Sequence, residues 1–230
     1  MSILFIYEIS NSNSKEIEIM TPYNLFEKIR TATYKTSGDC VDWAIDVCDS
    51  EKTIFLLFEP SKQKRDWINN FNFPVKIYKK QQSCLMVARG WGRAYKSCND
   101  EIMETLIKMV KEKPDYQVLI SGWSYGGAMS LIAAEDFYFR TRIKPSVITF
   151  GAPKPLWGRK TKNYCLSCVR DVKQYAHIND IDPYLPPALF GYKHLVKNKI
   201  GKDFSILKLF KPQIFHCSYG DKTLYCEDTK

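Results

Sequence analysis

The chain has 230 residues and is 45% hydrophobic and 14% aromatic, which is enough apolar material for a packed core and excludes a disordered chain. Its formal net charge of +9 raises the question of an anionic partner. No zinc-finger, RNA-binding or helix-turn-helix signature accompanies this charge, so we expect no nucleic-acid partner and favour contact with an anionic lipid surface.

The sequence contains no apolar run long enough to span a membrane. Its apolar N-terminus lacks a basic leader and contains Glu8, so we predict a first strand over Ile3–Tyr7 rather than a secretory signal. The initiating Met1 favours a cytoplasmic protein. In that compartment we expect the eight cysteines to be reduced, and the lone Cys165-x-x-Cys168 pair to be structural or incidental.

Hydrophobic patterning predicts strands that alternate with helices, which is typical of a mostly parallel α/β sheet covered on both faces. Neither a repeat nor a low-complexity tract interrupts the pattern, so we expect one domain over residues 1–230. Helical spacing predicts helices over Tyr23–Thr33, Val41–Val47, Trp91–Lys113 and Tyr125–Tyr138. Short apolar runs predict strands over Thr53–Phe58, Val75–Tyr78, Gln117–Ser121, Val147–Phe150 and Lys173–Ile178.

The most informative motif lies between one of these strands and the helix that follows it. The segment Gly122-Trp-Ser124-Tyr-Gly126-Gly-Ala128 contains G-x-S-x-G in the strand-turn-helix context that a catalytic serine requires. Glycines on both sides remove side chains that would collide across such a tight turn, and the turn exposes the serine hydroxyl. A chance match in a loop is the alternative, and the flanking elements argue against it. We therefore predict that Ser124 is a nucleophile.

A nucleophilic serine needs a base and an acid, and the sequence limits both choices. The three histidines are His177, His194 and His216. In hydrolases with this turn the chain order is nucleophile, acid, histidine, so we expect His177, which precedes the acid candidates, to be structural. We favour His216 over His194 because His216 lies near the C-terminus, where the loop that carries the base is expected. Asp180 and Asp182 both precede His216, and spacing alone does not choose between them.

Several motifs in this order resemble the fungal-type class 3 lipase family over about Thr53 to His216. They are Gly122-Trp-Ser-Tyr-Gly-Gly-Ala128 for G-H-S-L-G-G-A, Thr149-Phe-Gly-Ala-Pro153 for T-F-G-x-P, Asn179-Asp-Ile-Asp-Pro-Tyr-Leu-Pro-Pro187 for N-D-x-V-P-x-L-P-P, and Phe190-Gly-Tyr-Lys-His194 for F-G-Y-x-H. The resemblance implies the α/β-hydrolase fold and places the catalytic aspartate on Asp180. It puts Asp182 where the family usually has an apolar residue. His194 falls on a non-catalytic family histidine, which strengthens His216 as the base.

The same resemblance implies an oxyanion hole with two donors. One is the backbone N–H of Tyr125, directly after the nucleophile. The other belongs to Ser61 in Phe58-Glu-Pro60-Ser61, where the family reads F-R-G-[ST]. Pro60 replaces the usual glycine and restricts the turn, because its ring fixes φ.

The family often places a lid helix after this turn, and residues 62–73 resemble it. Trp67, Ile68 and Phe71 would share one helical face beside a basic cluster, a pattern that suits docking at a lipid surface. The alternative is that these side chains are ordinary core. Trp123 and Tyr125 stand where the family usually has His and Leu, and we expect Trp123 to reshape or crowd the acyl pocket.

Taken together, the motifs predict carboxylic ester hydrolysis through an acyl-enzyme, with no cofactor and no metal. The resemblance implies a lipid ester substrate, either an acylglycerol or, as in phospholipase A1-like enzymes, a phospholipid. The basic charge favours an anionic phospholipid. Two alternatives stay open: a soluble carboxylesterase without interfacial preference, and a non-catalytic lipid-binding member of the fold.

Overall fold

The computed structural model describes residues 20–60, 75–78, 85–202, 204 and 216–225. The predicted strand Ile3–Tyr7 and the predicted lid 62–73 lie outside the described residues. Ser61, which the sequence assigns to the oxyanion hole, lies outside them as well.

The central sheet has seven strands, and its middle is parallel. In spatial order they are β1 Lys35–Ser37, β2 Val41–Cys48, β3 Thr53–Phe58, β6 Gln117–Trp123, β7 Ser146–Phe150, β9 Asp171–His177 and β11 Asn198–Ile200. The strands from β3 to β11 pair in parallel, whereas β1, β2 and β3 pair in antiparallel fashion. A smaller antiparallel sheet contains β4 Val75–Tyr78, β5 Leu85–Ala88, β8 Leu156–Trp157 and β10 Tyr192–Lys193.

Four helices and four short 3-10 turns complete the described elements. The helices are α1 Pro22–Thr31, α2 Arg89–Glu112, α3 Tyr125–Thr141 and α4 Arg159–Cys168. The turns are Asp182–Tyr184, Ala188–Phe190, Ser218–Gly220 and Lys222–Tyr225. At the start of α1 the Thr21 hydroxyl accepts a hydrogen bond from the Asn24 N–H, a cap of the kind that stabilises a helix by about 1 kcal/mol.

One predicted helix is wrong, because Val41–Val47 forms the strand β2. Val41, Trp43, Ile45 and Val47 all pack toward the same core cluster, so the apolar residues repeat every second position. This period belongs to a strand and not to a helix. The other predicted helices and strands within the described residues are confirmed, with bounds that differ by a few residues.

The core lies on both faces of the sheet, and β3 shows this most clearly. All six of its residues are buried. Ile54, Leu56 and Phe58 pack into a cluster with α2 and α3, whereas Phe55 and Leu57 pack into a second cluster with α1 and the C-terminal turns. Alternate side chains of a strand point to opposite faces, so helices must cover both.

This arrangement places several chain turns at one edge of the sheet. The parallel strands β6, β7 and β9 all end there, and each is followed within three residues by a residue of interest: Ser124, Gly151 or Asp180. In open α/β sheets such carboxyl edges are where ligands bind. Within the described residues, every helix is too short or too polar to cross a membrane.

Candidate active site

Ser124 occupies a sharp turn between β6 and α3. Its backbone has φ 55° and ψ −123°, a conformation that costs a non-glycine residue about 1–3 kcal/mol. Two backbone hydrogen bonds stabilise this strained conformation. The Ser124 N–H donates to the Phe150 carbonyl at 2.8 Å, and the Ser124 carbonyl accepts from the Gly127 N–H at 3.0 Å. The turn therefore presents the hydroxyl at the carboxyl edge of the sheet.

The glycines of the motif are required by close backbone approach. A Cβ on Gly122 would lie 2.4 Å from the Gly126 backbone, and a Cβ on Gly126 would lie 2.3 Å from the Phe58 carbonyl oxygen. Side chains do not fit at these distances, so the turn packs directly on the end of β3. This contact sets the start of the Phe58-Glu-Pro60 segment beside the nucleophile.

Tyr125, the predicted oxyanion donor, is the first residue of α3. Its backbone N–H therefore lies at the N-terminal end of that helix, where the peptide dipoles favour negative charge. The second predicted donor, Ser61, is outside the described residues, as are Trp67, Ile68 and Phe71 of the predicted lid.

Asp180 and His216 meet at the same edge of the sheet. The Asp180 carboxylate is fully buried, and its Oδ2 atom lies 2.9 Å from His216 Nδ1. The Tyr219 hydroxyl donates a second hydrogen bond to the same oxygen at 2.8 Å, and the Asp182 N–H donates to Oδ1 at 3.0 Å. These bonds compensate the cost of burying the carboxylate and fix the plane of the imidazole.

The charges around His216 decide its protonation. Burial by itself lowers the pKa of His216, but the hydrogen bond that its Nδ1–H donates to Asp180 and the charges of Asp180 and Asp182 outweigh it and raise the pKa above the usual value. A buried histidine between carboxylates is therefore a stronger base than a free imidazole.

Asp182 lies near both partners of the expected proton transfer. Its carboxylate is 3.3 Å from His216 Nε2. Burial raises the pKa of Asp182, partly opposed by the positive charge of His216 and, to a smaller extent, by the Ser124 side chain. The sequence leaves Asp180 and Asp182 as alternative acids, and the structure puts them on opposite nitrogens of one ring.

Trp123 packs against the base. Its indole N–H donates to the His216 carbonyl at 3.1 Å, and its ring lies 5.4 Å from the imidazole, centroid to centroid. On its other side it meets Phe26 of α1 edge-on at 5.2 Å. This contact with His216 differs in kind from the expected role of Trp123 in the acyl pocket, which stays a prediction.

The other two histidines lie in the surrounding framework. His177 ends β9, is buried, and accepts a hydrogen bond on Nδ1 from the Asn179 N–H at 3.1 Å. His194 Nε2 lies 2.6 Å from the Pro183 carbonyl oxygen, and burial, with smaller effects from nearby lysines, lowers its pKa to about 4. A neutral His194 at that pKa donates to the carbonyl and anchors the turn that carries Asp182.

Sequence reasoning missed the roles of Gly151 and Tyr219. Gly151 has φ +56°, and a Cβ there would lie 3.0 Å from Asp180 Oδ2 and 3.1 Å from His216 Cε1. The T-F-G-x-P match contained this glycine without indicating what it touches. Tyr219 follows His216 by three residues, yet nothing in its sequence context marks a hydrogen bond to Asp180.

Two further groups could suggest other chemistry. Ligand atoms of Asp180, Asp182 and His216 lie within 4.8 Å of one another, as in cation sites. Asp180 Oδ2 already accepts hydrogen bonds from Tyr219 and His216, so this cluster is accounted for without a metal. In α4, burial raises the pKa of the Cys165 and Cys168 thiols, which makes them poor nucleophiles.

A parallel sheet with helices on both faces and a serine elbow at its carboxyl edge defines the α/β-hydrolase fold, as the sequence predicted. The model of the family described as "Lipase (class 3)" matches residues 55–190. The chain belongs to this family, which confirms the resemblance seen in the motifs.

Known relatives support the assignment. A lipase of Rhizomucor miehei is 33% identical over 150 residues, which cover 64% of this chain and 41% of the relative. A secreted mono- and diacylglycerol lipase A of Penicillium cyclopium is 26% identical over 151 residues, which cover 66% of this chain and 48% of the relative. The native Rhizomucor miehei lipase propeptide complex superimposes with a TM-score of 0.66 at 27% identity, covering 74% of this chain and 56% of that one. The matched region is thus less than half the length of the two curated relatives.

Proposed function

We propose that the protein is a serine carboxylic ester hydrolase with Ser124 as nucleophile, His216 as base and Asp180 as the acid that orients the base. One observation carries the proposal: a fully buried Asp180 holds His216 Nδ1 at 2.9 Å, and His216 contacts Trp123, which directly precedes a serine in a strained strand-to-helix turn. A binding protein has no need to bury a carboxylate against a histidine at that position.

The residues support acyl transfer in two steps. His216 takes the proton as the Ser124 oxygen attacks the ester carbonyl, and it returns the proton to the alcohol that leaves. Water then attacks the acyl-enzyme by the same route and releases the acid. The Tyr125 N–H at the start of α3, with Ser61 as second donor, stabilises the oxyanion in both steps, and each such donor contributes roughly 100- to 1000-fold to turnover.

The substrate we propose is a lipid ester, an acylglycerol or a phospholipid. Relatives carry the names lipase and mono- and diacylglycerol lipase. Leu189 and Phe190 are 91% and 61% exposed on the 3-10 turn after Pro187, where apolar tips suit contact with a lipid surface. The net charge of +9 favours an anionic surface, hence an anionic phospholipid.

The test is hydrolysis by purified Ser124→Ala protein. We expect loss of at least about 1000-fold in turnover of a short p-nitrophenyl ester, because no other group replaces the nucleophile. Ser167→Ala is the matched control, since Ser167 is exposed on α4 and its hydroxyl donates to the Tyr164 carbonyl of the same helix. Unchanged hydrolysis by Ser124→Ala would exclude Ser124 as the nucleophile. A lipid-binding role would instead follow if the wild type itself hydrolysed no ester.

The substrate is tested separately from the reaction. An enzyme that acts at an interface shows a jump in rate when an ester passes its solubility limit, whereas a soluble carboxylesterase saturates smoothly. Emulsified acylglycerol and vesicles of anionic or zwitterionic phospholipid then rank the lipid classes. Smooth saturation with short esters and no hydrolysis of any lipid would favour the carboxylesterase.

A further inference from the structure

We propose that Asp182 is a positioning residue that holds His216 and Ser124 in a resting arrangement and so sets the pH above which the enzyme works. The inference rests on the proposed hydrolase function and extends it to a residue outside the nucleophile, base and acid. It starts from the position of Asp182, whose carboxylate lies at the imidazole nitrogen that Asp180 leaves free.

The first step is the geometry of the imidazole. His216 Nδ1 lies 2.9 Å from Asp180 Oδ2, and Nε2 lies 3.3 Å from Asp182 Oδ2. Both ring nitrogens can face carboxylates as donors only when the ring is doubly protonated. An imidazolium has no lone pair with which to take the proton of Ser124, so this arrangement is a resting form.

The second step concerns the nucleophile. The Ser124 side chain lies close enough to Asp182 to lower the pKa of its carboxyl group, so the same carboxylate neighbours both the donor and the acceptor of the proton transfer. Catalysis needs the serine hydroxyl on Nε2. The Asp182 carboxylate must therefore leave Nε2 before Ser124 is activated.

The third step is that the backbone carrying Asp182 is fixed. His194 binds the Pro183 carbonyl at 2.6 Å, and the Lys154 ammonium donates to the Tyr184 carbonyl at 2.6 Å. The Lys154 N–H also donates to the Leu185 carbonyl at 2.7 Å. The side chains of His194 and Lys154 are buried or partly buried, so these bonds hold the backbone of the turn Asp182–Tyr184 in place. Only the Asp182 carboxylate needs to move to leave His216 Nε2.

The sign of the pH effect follows from the charges that face the ring. Among the described residues these are Asp180 and Asp182, while Tyr219 stays neutral because burial raises its pKa well above the ordinary value. His216 is protonated and paired with Asp182 below its raised pKa, and loses both the proton and the ion pair as pH rises through it. In the pH profile of kcat/KM, activity falls on acidification as His216 becomes protonated; we call this part of the profile the acid limb. Asp182 thus moves the acid limb to higher pH.

The experiment compares kcat/KM against pH for the wild type, Asp182→Asn and Asp182→Leu. Asn keeps the size of the side chain and removes its charge, whereas Leu gives the position an apolar residue. We expect the acid limb to move down by about one pH unit in both, and activity below the midpoint to rise about tenfold. Asp115→Asn, an equal charge change on an exposed residue that pairs with Lys52, should leave the limb in place.

A second readout separates this inference from the hydrolase function. In Ser124→Ala protein, NMR titration of His216 should give a lower pKa when Asp182→Asn is added. An unmoved pKa in a protein whose wild type hydrolyses esters would overturn the role of Asp182 alone. The expected change in pKa without any ester hydrolysis by the wild type would overturn the proposed function alone. An acid limb that stays or moves upward in both Asp182 variants also contradicts the inference.

Discussion

Ser124 lies between β6 and α3, where consecutive residues of one short motif form the strand end, the turn and the helix start. His216 instead lies just before two short 3-10 turns, and its place depends on Trp123 from β6 and on Asp180 from the end of β9. The nucleophile is thus held by close backbone packing, whereas the base is held by the side chains of residues far from it in the chain.

This difference predicts that substitutions in the two regions should affect different properties of the protein. A change at the nucleophile turn meets the backbone of β3 and has no room to relax, so it should affect the whole fold. A change beside His216 alters one hydrogen bond or one charge and leaves the sheet intact. Its effect should therefore appear in turnover and in the pH profile more than in stability.

The largest effect is expected at the nucleophile turn, for Gly126→Ala. The new Cβ would lie 2.3 Å from the Phe58 carbonyl oxygen and 2.7 Å from that of Glu59, so the turn must separate from β3. We expect a loss of about 3 kcal/mol in the free energy of unfolding, measured by chemical denaturation. Turnover should fall by at least about 100-fold, because the nucleophile is displaced.

Gly158→Ala is the control for this variant. Gly158, unlike Gly126, has a positive φ, of 82°, but a Cβ there meets no atom within 4 Å. It should cost only about 1 kcal/mol through backbone strain and leave turnover unchanged. Equal losses of stability for the two variants would show that close packing on β3 does not hold the turn.

A smaller effect is expected beside the base, for Trp123→Phe. Phenylalanine keeps most of the aromatic packing on His216 and Phe26 but lacks the indole N–H that bonds the His216 carbonyl. Losing one hydrogen bond of this kind costs about 1 kcal/mol, so we expect turnover to fall about fivefold with the fold retained.

Trp157→Phe is a close match, because the Trp157 indole N–H also donates to a backbone carbonyl, that of Phe190, at 2.8 Å. It should lose similar stability while its turnover stays at the wild-type level. If the two tryptophan variants lowered turnover equally, Trp123 would have no particular role in placing the base.

The same contrast explains how much the sequence could predict. The nucleophile turn was predictable, because strand, glycines and helix are adjacent in sequence and each has a local physical reason. Chain order and family resemblance indicated His216 and Asp180, and the structure brings these two together. The period of two over Val41–Val47 was also present in the sequence, but the segment was interpreted as a helix.

The rest depended on contacts that no local pattern encodes. Asp182 follows Asp180 by two residues, yet its approach to the opposite nitrogen of His216 depends on how the turn after β9 is anchored. The Tyr219 hydroxyl reaches Asp180 across 39 positions of the chain, and Trp123 reaches the His216 carbonyl across 93. Such pairings are determined by the packing of the whole sheet.

Covalent labelling with a phosphonate ester tests the role of Ser124 most directly, because a phosphonate bonds only to an activated nucleophile. We expect one adduct per chain by intact mass, mapped to the peptide that contains Ser124. The adduct should be absent in Ser124→Ala and should form much more slowly in His216→Asn. An adduct on another residue, or equal labelling of the wild type and Ser124→Ala, would contradict Ser124 as the nucleophile.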